Sequence, residues 1–244
     1  MDSLFQQIAQ WHGSRAWGRI LDAGSGIHSL NWLCGLPYEE IVAVTGSTAQ
    51  KKALLESVGG KERIRILHGN WANPSFLSGK RYDTVIADYL LGAIDGFAPY
   101  FQHGLFKRLN NTTIQRLYLI GLEPFPTATD EGGERIWEIN RLRDACILLA
   151  GHRCYREYPQ AWVLQRLEES GFRIVHSRSF PIRFGESYVH GQLDVCLRKI
   201  DRISDPVLAR ALRHRVEELR TASLPLAQAG IRFGSDYVIA AEPV

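Results

Sequence analysis

The sequence predicts an α/β protein whose largely parallel sheet is covered by helices on both faces. Short apolar runs such as Ile41-Val42-Ala43-Val44 and Thr84-Val85-Ile86-Ala87 recur through the first half. They are too short for helices and rich in β-branched residues. They are also apolar throughout rather than alternating, the pattern of strands buried on both faces. Between them lie segments with capping residues and helical periodicity, which places helices on each side of the sheet.

In order, 19–23 forms a first strand carrying Asp22, followed by Gly24-Ser25-Gly26 and a helix over 28–34. The second strand, 41–44, leads to Ser47-Thr48-Ala49-Gln50, the spacing of a capping box, and a helix to about Val58 that Gly59-Gly60 ends. Strands follow at 64–67 and 84–87, then a helix over 97–109 and a fifth strand at 117–120. Beyond these, Ile136, Ile139, Leu142, Cys146 and Leu149 share one helix face. Pro159 starts another helix, with Val163, Leu164 and Leu167 inward and Gly171 just past its end. A sixth strand spans 172–176, and Asp205-Pro206 opens a helix. Leu208, Leu212, Val216 and Leu219 give that helix its apolar face, and Arg210, Arg213, Arg215 and Arg220 its basic one. A last strand spans 237–241. No repeat and no linker divides the chain, so 1–244 reads as a single domain with insertions at about 121–160 and 179–234 that form a substrate lid.

Composition narrows the function. The 244 residues carry 29 Lys+Arg against 26 Asp+Glu, which excludes a charge-driven nucleic-acid binder. The apolar content excludes disorder. Arg supplies 23 of the 29 cations, and the whole excess lies after residue 100. Cys34, Cys146, Cys154 and Cys196 show no CxxC spacing, and the histidines no i,i+4 pairing, so no metal is expected. No apolar stretch approaches the roughly 20 residues of a membrane span. Segment 1–7 lacks a basic region followed by an apolar one, so a cytoplasmic location without membrane association is expected.

Ligands in such folds bind beyond the carboxyl ends of the strands. There, Asp22-Ala23-Gly24-Ser25-Gly26 allows a tight turn, close backbone approach and amide donors at a helix start. A dinucleotide fingerprint would place Gly or Ala at Ser29 and an acid about 20 residues on, where Thr45-Gly46-Ser47 offers none. That argues against a nicotinamide oxidoreductase.

The segment Ile20-Leu21-Asp22-Ala23-Gly24-Ser25-Gly26 resembles the first motif of the class I S-adenosylmethionine-dependent methyltransferases. His68-Gly69-Asn70-Trp71 resembles their adenine-side loop, and 82–89, Tyr-Asp-Thr-Val-Ile-Ala-Asp-Tyr, their fourth-strand motif. Gly171-Phe172 and 234–241 resemble their closing strands. The resemblance spans nearly the whole chain and implies a Rossmann-like doubly wound sheet of about seven strands, the last antiparallel, with helical insertions after strands five and six. It implies S-adenosylmethionine as cofactor, held by Asp22, Gly24, Ser25, Gly26, His28, Thr45, Gly46, Asn70, Trp71, Asp88 and Tyr89. One departure stands out. The family carries an acid after strand two for the ribose hydroxyls, whereas Thr45 offers a single hydroxyl, with Ser47 or backbone groups as substitutes.

Glu123, Asp88 and Tyr89 follow strands five and four and are the candidate catalytic groups. Glu123, Trp137, Tyr155, Tyr158 and Tyr188 are the candidate acceptor contacts. Asp88-Tyr89-Leu90-Leu91 differs from the Asn/Asp-Pro-Pro-Tyr/Phe motif of the branch that methylates nucleic acids or glutamine. The expected partner is therefore a small molecule. The alternatives are an RNA- or protein-modifying enzyme, motivated by the Arg-rich helix, and a non-catalytic binding module, motivated by Thr45.

Overall fold

The computed structural model describes residues 3–244; Met1 and Asp2, which begin the segment read above for a targeting signal, lie outside the described residues. Strands β1 (Arg19–Asp22), β2 (Glu40–Thr45), β3 (Ile64–His68), β4 (Tyr82–Asp88), β5 (Thr113–Leu122), β6 (Phe172–Phe184) and β7 (Ile231–Pro243) form one sheet in the order β3-β2-β1-β4-β5-β7-β6. β1 pairs in parallel with β2 and β4, β2 with β3, and β4 with β5, while β7 runs antiparallel to β5. The doubly wound sheet and its antiparallel last strand are as the sequence implies. Strand order reverses at β1, so the crevice beyond β1 and β4 is the topological switch point.

The helices are α1 (Ser3–His12), α2 (Ile27–Leu33), α3 (Thr48–Val58), α4 (Leu90–Ala93), α5 (Gln102–Thr112), α6 (Glu131–Leu149), α7 (Gln160–Glu169), α8 (Glu186–Ile200) and α9 (Pro206–Ala229). None is long and apolar enough to cross a membrane among the described residues.

The chain divides into two compact units. The first comprises the chain up to Glu123, Tyr155–Phe180 and Asp236–Val244; the second comprises Pro124–Cys154 and Pro181–Ser235. The second unit overlaps the two segments expected as insertions, but 121–123, 155–160 and 179–180 of those segments belong to the first unit.

In the first unit successive strand residues point to opposite faces, and each face has its own apolar layer. Leu21, Val42, Val85, Leu117 and Ile239 pack with residues of α5 and α7. Ile20, Ile41, Ile86, Tyr118 and Val238 pack with residues of α1, α2 and α3. His12 and Trp17 belong to this packing: their rings stack at 3.6 Å, and His12 Nδ1 lies 3.0 Å from the Tyr118 hydroxyl. The second unit has a separate core from α6, α8 and α9, including Ile136, Ile139, Val189, Leu193, Val216 and Leu219.

Three local expectations change. The helix expected over 97–109 begins only at Gln102, because the chain first makes α4 and a 3₁₀ turn, Ile94–Gly96, after Tyr89 takes a left-handed φ of 47°. Leu149, expected inward, is 48% exposed, since it is the final position of α6 where the chain turns off through Ala150 and Gly151. β6 continues to Phe184, and α8 follows it.

Candidate functional site

Backbone hydrogen bonds tie the loops after the parallel strands into one rim. Ala23 N–H donates to Ile86 O at 2.8 Å, Ser25 N–H to Val44 O at 2.7 Å and Gly69 N–H to Thr45 O at 3.1 Å. Trp71, 3% exposed, adds a donation from its indole N–H to Ala23 O at 2.8 Å. The rim encloses a cleft of about 430 Å³, within the ordinary range for small-ligand sites. Its walls come from 23–26, 44–47, Gln50, 69–71, Asp88, Leu90, Ala93, Ile94, Phe97 and Tyr155. Asp88 is the sole charged residue among them, and none is cationic.

Asp22 lies under the glycine turn and is fully buried. Its Oδ2 accepts from the Ser29 hydroxyl at 2.9 Å, and that hydroxyl oxygen accepts from Gly26 N–H at 3.1 Å. Ser29, which departs from a dinucleotide fingerprint, therefore joins the buried acid to the start of α2. Asp22 Oδ1 has no partner among the described residues. Burial raises this carboxyl from 3.8 to about 6, against the downward pull of the Ser29 hydrogen bond.

Two glycines are closely packed at the cleft. A Cβ on Gly24 would sit 2.8 Å from Leu90 Cδ1, and one on Gly46 would sit 2.6 Å from Phe97 Cδ1. At Gly26 the nearest atom would be 4.0 Å away, so the glycine there leaves open space.

The structure brings together most of the predicted cofactor residues: Gly24, Ser25, Gly26, Thr45, Gly46, Asn70, Trp71 and Asp88 line the cleft, with Asp22 beneath. Tyr155, expected on the acceptor side, lines the same cleft, with Cε1 3.1 Å from where a Gly96 Cβ would stand. Other predicted residues stand elsewhere. His28 is outside the cleft wall, its ring 5.3 Å from that of Phe5. Tyr89 follows β4 and is 38% exposed; its left-handed φ of 47° is a conformation costing a non-glycine residue on the order of 1 kcal/mol. Glu123 Oε1 accepts from Gln160 N–H at 2.9 Å, which places a carboxylate on the first turn of α7. Tyr158 stacks on Trp162 at 4.9 Å, and its carbonyl accepts from the Tyr237 hydroxyl at 2.9 Å. Trp137 and Tyr188 belong to the second unit. There the Trp137 N–H donates to Pro126 O at 2.6 Å, and Tyr188 exchanges hydrogen bonds with Asn140.

The expectations from sequence omit Ser29, Gln50 and Phe97. Ser29 is legible as the third residue of α2, where a hydroxyl can reach back to the cap. Gln50 is legible as the last residue of the capping box. Phe97 has no signal, because its surroundings in the sequence read as helix. No group of three or more His, Cys, Asp or Glu is placed to hold a metal among the described residues.

No family model and no curated protein matches the chain. Several solved structures do match it. A candidate methyltransferase from Bacillus halodurans aligns over 100% of both chains at 15% identity and a TM-score of 0.64. The YcgJ protein of Bacillus subtilis aligns over 98% of this chain and 96% of its own at 16% identity and 0.59. The mycolic acid cyclopropane synthase CmaA1, solved with SAH, aligns over 99% of this chain and 86% of its own at 14% identity and 0.57. The chain has the fold of the class I S-adenosylmethionine-dependent methyltransferases.

Proposed function

We propose that the protein is a cytoplasmic S-adenosylmethionine-dependent methyltransferase that modifies an N, O or S atom of a small molecule. The observation that carries this is the buried Asp22 carboxylate, with an unpartnered oxygen, under a glycine turn in a cleft without a cation. Such a site suits a ligand that brings its own positive charge. A phosphate-bearing dinucleotide would find no Lys, Arg or His on the wall.

The residues present fit the cofactor. Asp22 Oδ1, the orphaned oxygen under the turn, would accept from the cofactor's ammonium group. Trp71, Leu90, Ile94 and Phe97 supply apolar surface for a flat base. When bound, the cofactor supplies an electrophilic methyl group on a positively charged sulfur, displaced in line by the acceptor. The chain's work is to align the acceptor and exclude water. Asp88 lines the β4 end of the cleft, with Tyr89 following it outside the wall, and Asp88 is the carboxylate there able to hold an acceptor proton. Glu123 serves the same role only through its free edge, since Oε1 is engaged at α7.

A small acceptor is favoured over RNA by the state of the Arg-rich helix. Arg213, Arg215 and Arg220 are paired with Asp201, Glu138, Glu218 and Asp194. Calorimetric titration with the demethylated cofactor tests the reading. Wild type binds, and Gly26→Phe, which fills open space without a clash, does not. No binding by wild type at millimolar ligand sinks the proposal.

A further inference from the structure

We infer that Gln50, on the first turn of α3, holds the vicinal ribose hydroxyls of an adenosyl ligand in place of the acid missing after β2. The inference rests on the cofactor reading above. A ribose diol brings two hydroxyls that each need a hydrogen-bond partner once desolvated. Thr45, at the end of β2, is 7% exposed, and its Oγ1 already accepts from Ser47 N–H at 3.2 Å. Ser47 Oγ accepts from Gln50 N–H at 3.2 Å as the cap of α3. Both hydroxyls are therefore engaged in shaping the turn.

Two carboxamides line the cleft, and they differ in commitment. Asn70 is used at both ends: Nδ2 donates to Phe97 O at 2.7 Å, and Oδ1 accepts from Ala72 N–H at 2.9 Å. The Gln50 carboxamide makes no hydrogen bond among the described residues, and its residue is half-buried in the wall beside Gly46. An amide meets a diol differently from a carboxylate. Oε1 accepts from one hydroxyl while Nε2 donates to the oxygen of the other, and the wall beside Gly46 gains no charge. The site then recognises the diol without placing a charge beside it.

The test is calorimetry with S-adenosylhomocysteine and its 2′,3′-dideoxy analogue on wild type, Gln50→Ala and Gln50→Glu, with circular dichroism to confirm folding. Wild type prefers the diol by roughly tenfold, the scale of neutral hydrogen bonds. Gln50→Ala loses that preference while binding the dideoxy analogue as wild type does, a result that a merely structural role cannot give. Gln50→Glu keeps or increases the preference. Wild type that binds both ligands equally, or Gln50→Ala that retains the preference, overturns the inference and leaves the cofactor reading intact. Wild type that binds neither ligand overturns both.

Discussion

Replacing Asp22 with Asn separates the stability of the fold from the binding of its ligand. The carboxyl is fully buried, and burial raises it from 3.8 to about 6. A difference of about two pH units, at about 1.4 kcal/mol each, puts the cost of ionising it in the ligand-free fold at up to about 3 kcal/mol. Because the value is raised, the folded chain binds this proton more tightly than the unfolded one. Its contribution to stability is full below about 3.8 and lost as pH rises through about 6. Asn carries no charge and still accepts from the Ser29 hydroxyl. The variant therefore melts above wild type at pH 7.5, by up to roughly 6–12 °C for a chain this size, and the gap closes toward pH 4. Scanning fluorimetry across pH 4–8 reads the gap. Calorimetry with S-adenosylhomocysteine reads a loss of affinity, because the neutral carboxamide of Asp22→Asn cannot balance an ammonium. A variant that melts at or below wild type at pH 7.5, or a gap constant across the range, would refute the idea that Asp22 is ionised against burial to meet a cation.

Other perturbations test the remaining structure. Gly24→Trp drives a ring into Leu90, so it loses thermal stability as well as ligand, whereas Gly26→Phe loses ligand alone; equal melting of the two would contradict the geometry of the turn. Glu242→Ala strands the Arg116 guanidinium, which is 2% exposed and has Nε and Nη1 unpartnered among the described residues. The cost in urea unfolding is about 3 kcal/mol, and a change under about 0.5 kcal/mol would show that Glu242 does not compensate that charge. Glu123→Ala removes the acceptor for Gln160 N–H and costs about 1 kcal/mol, while Glu123→Gln keeps it. A pH–rate profile altered by Gln without a change in melting assigns Glu123 to proton transfer; an unaltered profile leaves it to α7.

The loops around the cleft are legible because their determinants are local. Asp22, Gly24 and Gly26 are contiguous, and Ser47 and Gly59 mark the ends of α3 as capping chemistry predicts: Ser47 accepts from Gln50 N–H, and Gly59 takes a left-handed φ of 56°. What was not legible depends on distance in sequence. Phe97 reaches the cleft only because Tyr89 turns the chain after β4, and Tyr155 arrives from beyond α6. The aromatics Trp137 and Tyr188 fit an acceptor pocket by composition, yet their polar atoms are satisfied inside the second unit. α8 carries a readable signal, Val189, Leu193, Cys196 and Ile200 at spacings of four, three and four, but Gly191 and the length of the insertion hid it.

The excess of arginine takes on a structural meaning in the second unit. Arg215 bridges α9 to Glu138 on α6 at 3.1 Å, and Arg220 bridges α9 to Asp194 on α8 at 2.9 Å. Arg143 on α6 donates to Gln192 on α8 at 2.8 Å. Each link joins two of the three helices that bury Ile139, Leu193 and Val216. Arg suits this because its planar fork reaches two acceptors from one side chain, as Arg215 does with Glu138 and Glu218. Lys in the same positions would keep the net charge and lose the second contact. Exposed pairs of this kind contribute little singly, so their value lies in the network. The test of that view is charge-neutral: replacing Arg143, Arg215 and Arg220 together with Lys lowers the melting temperature of the chain and makes it less sensitive to salt. A patch that existed to attract an anionic substrate would tolerate the change and bind its ligand as before.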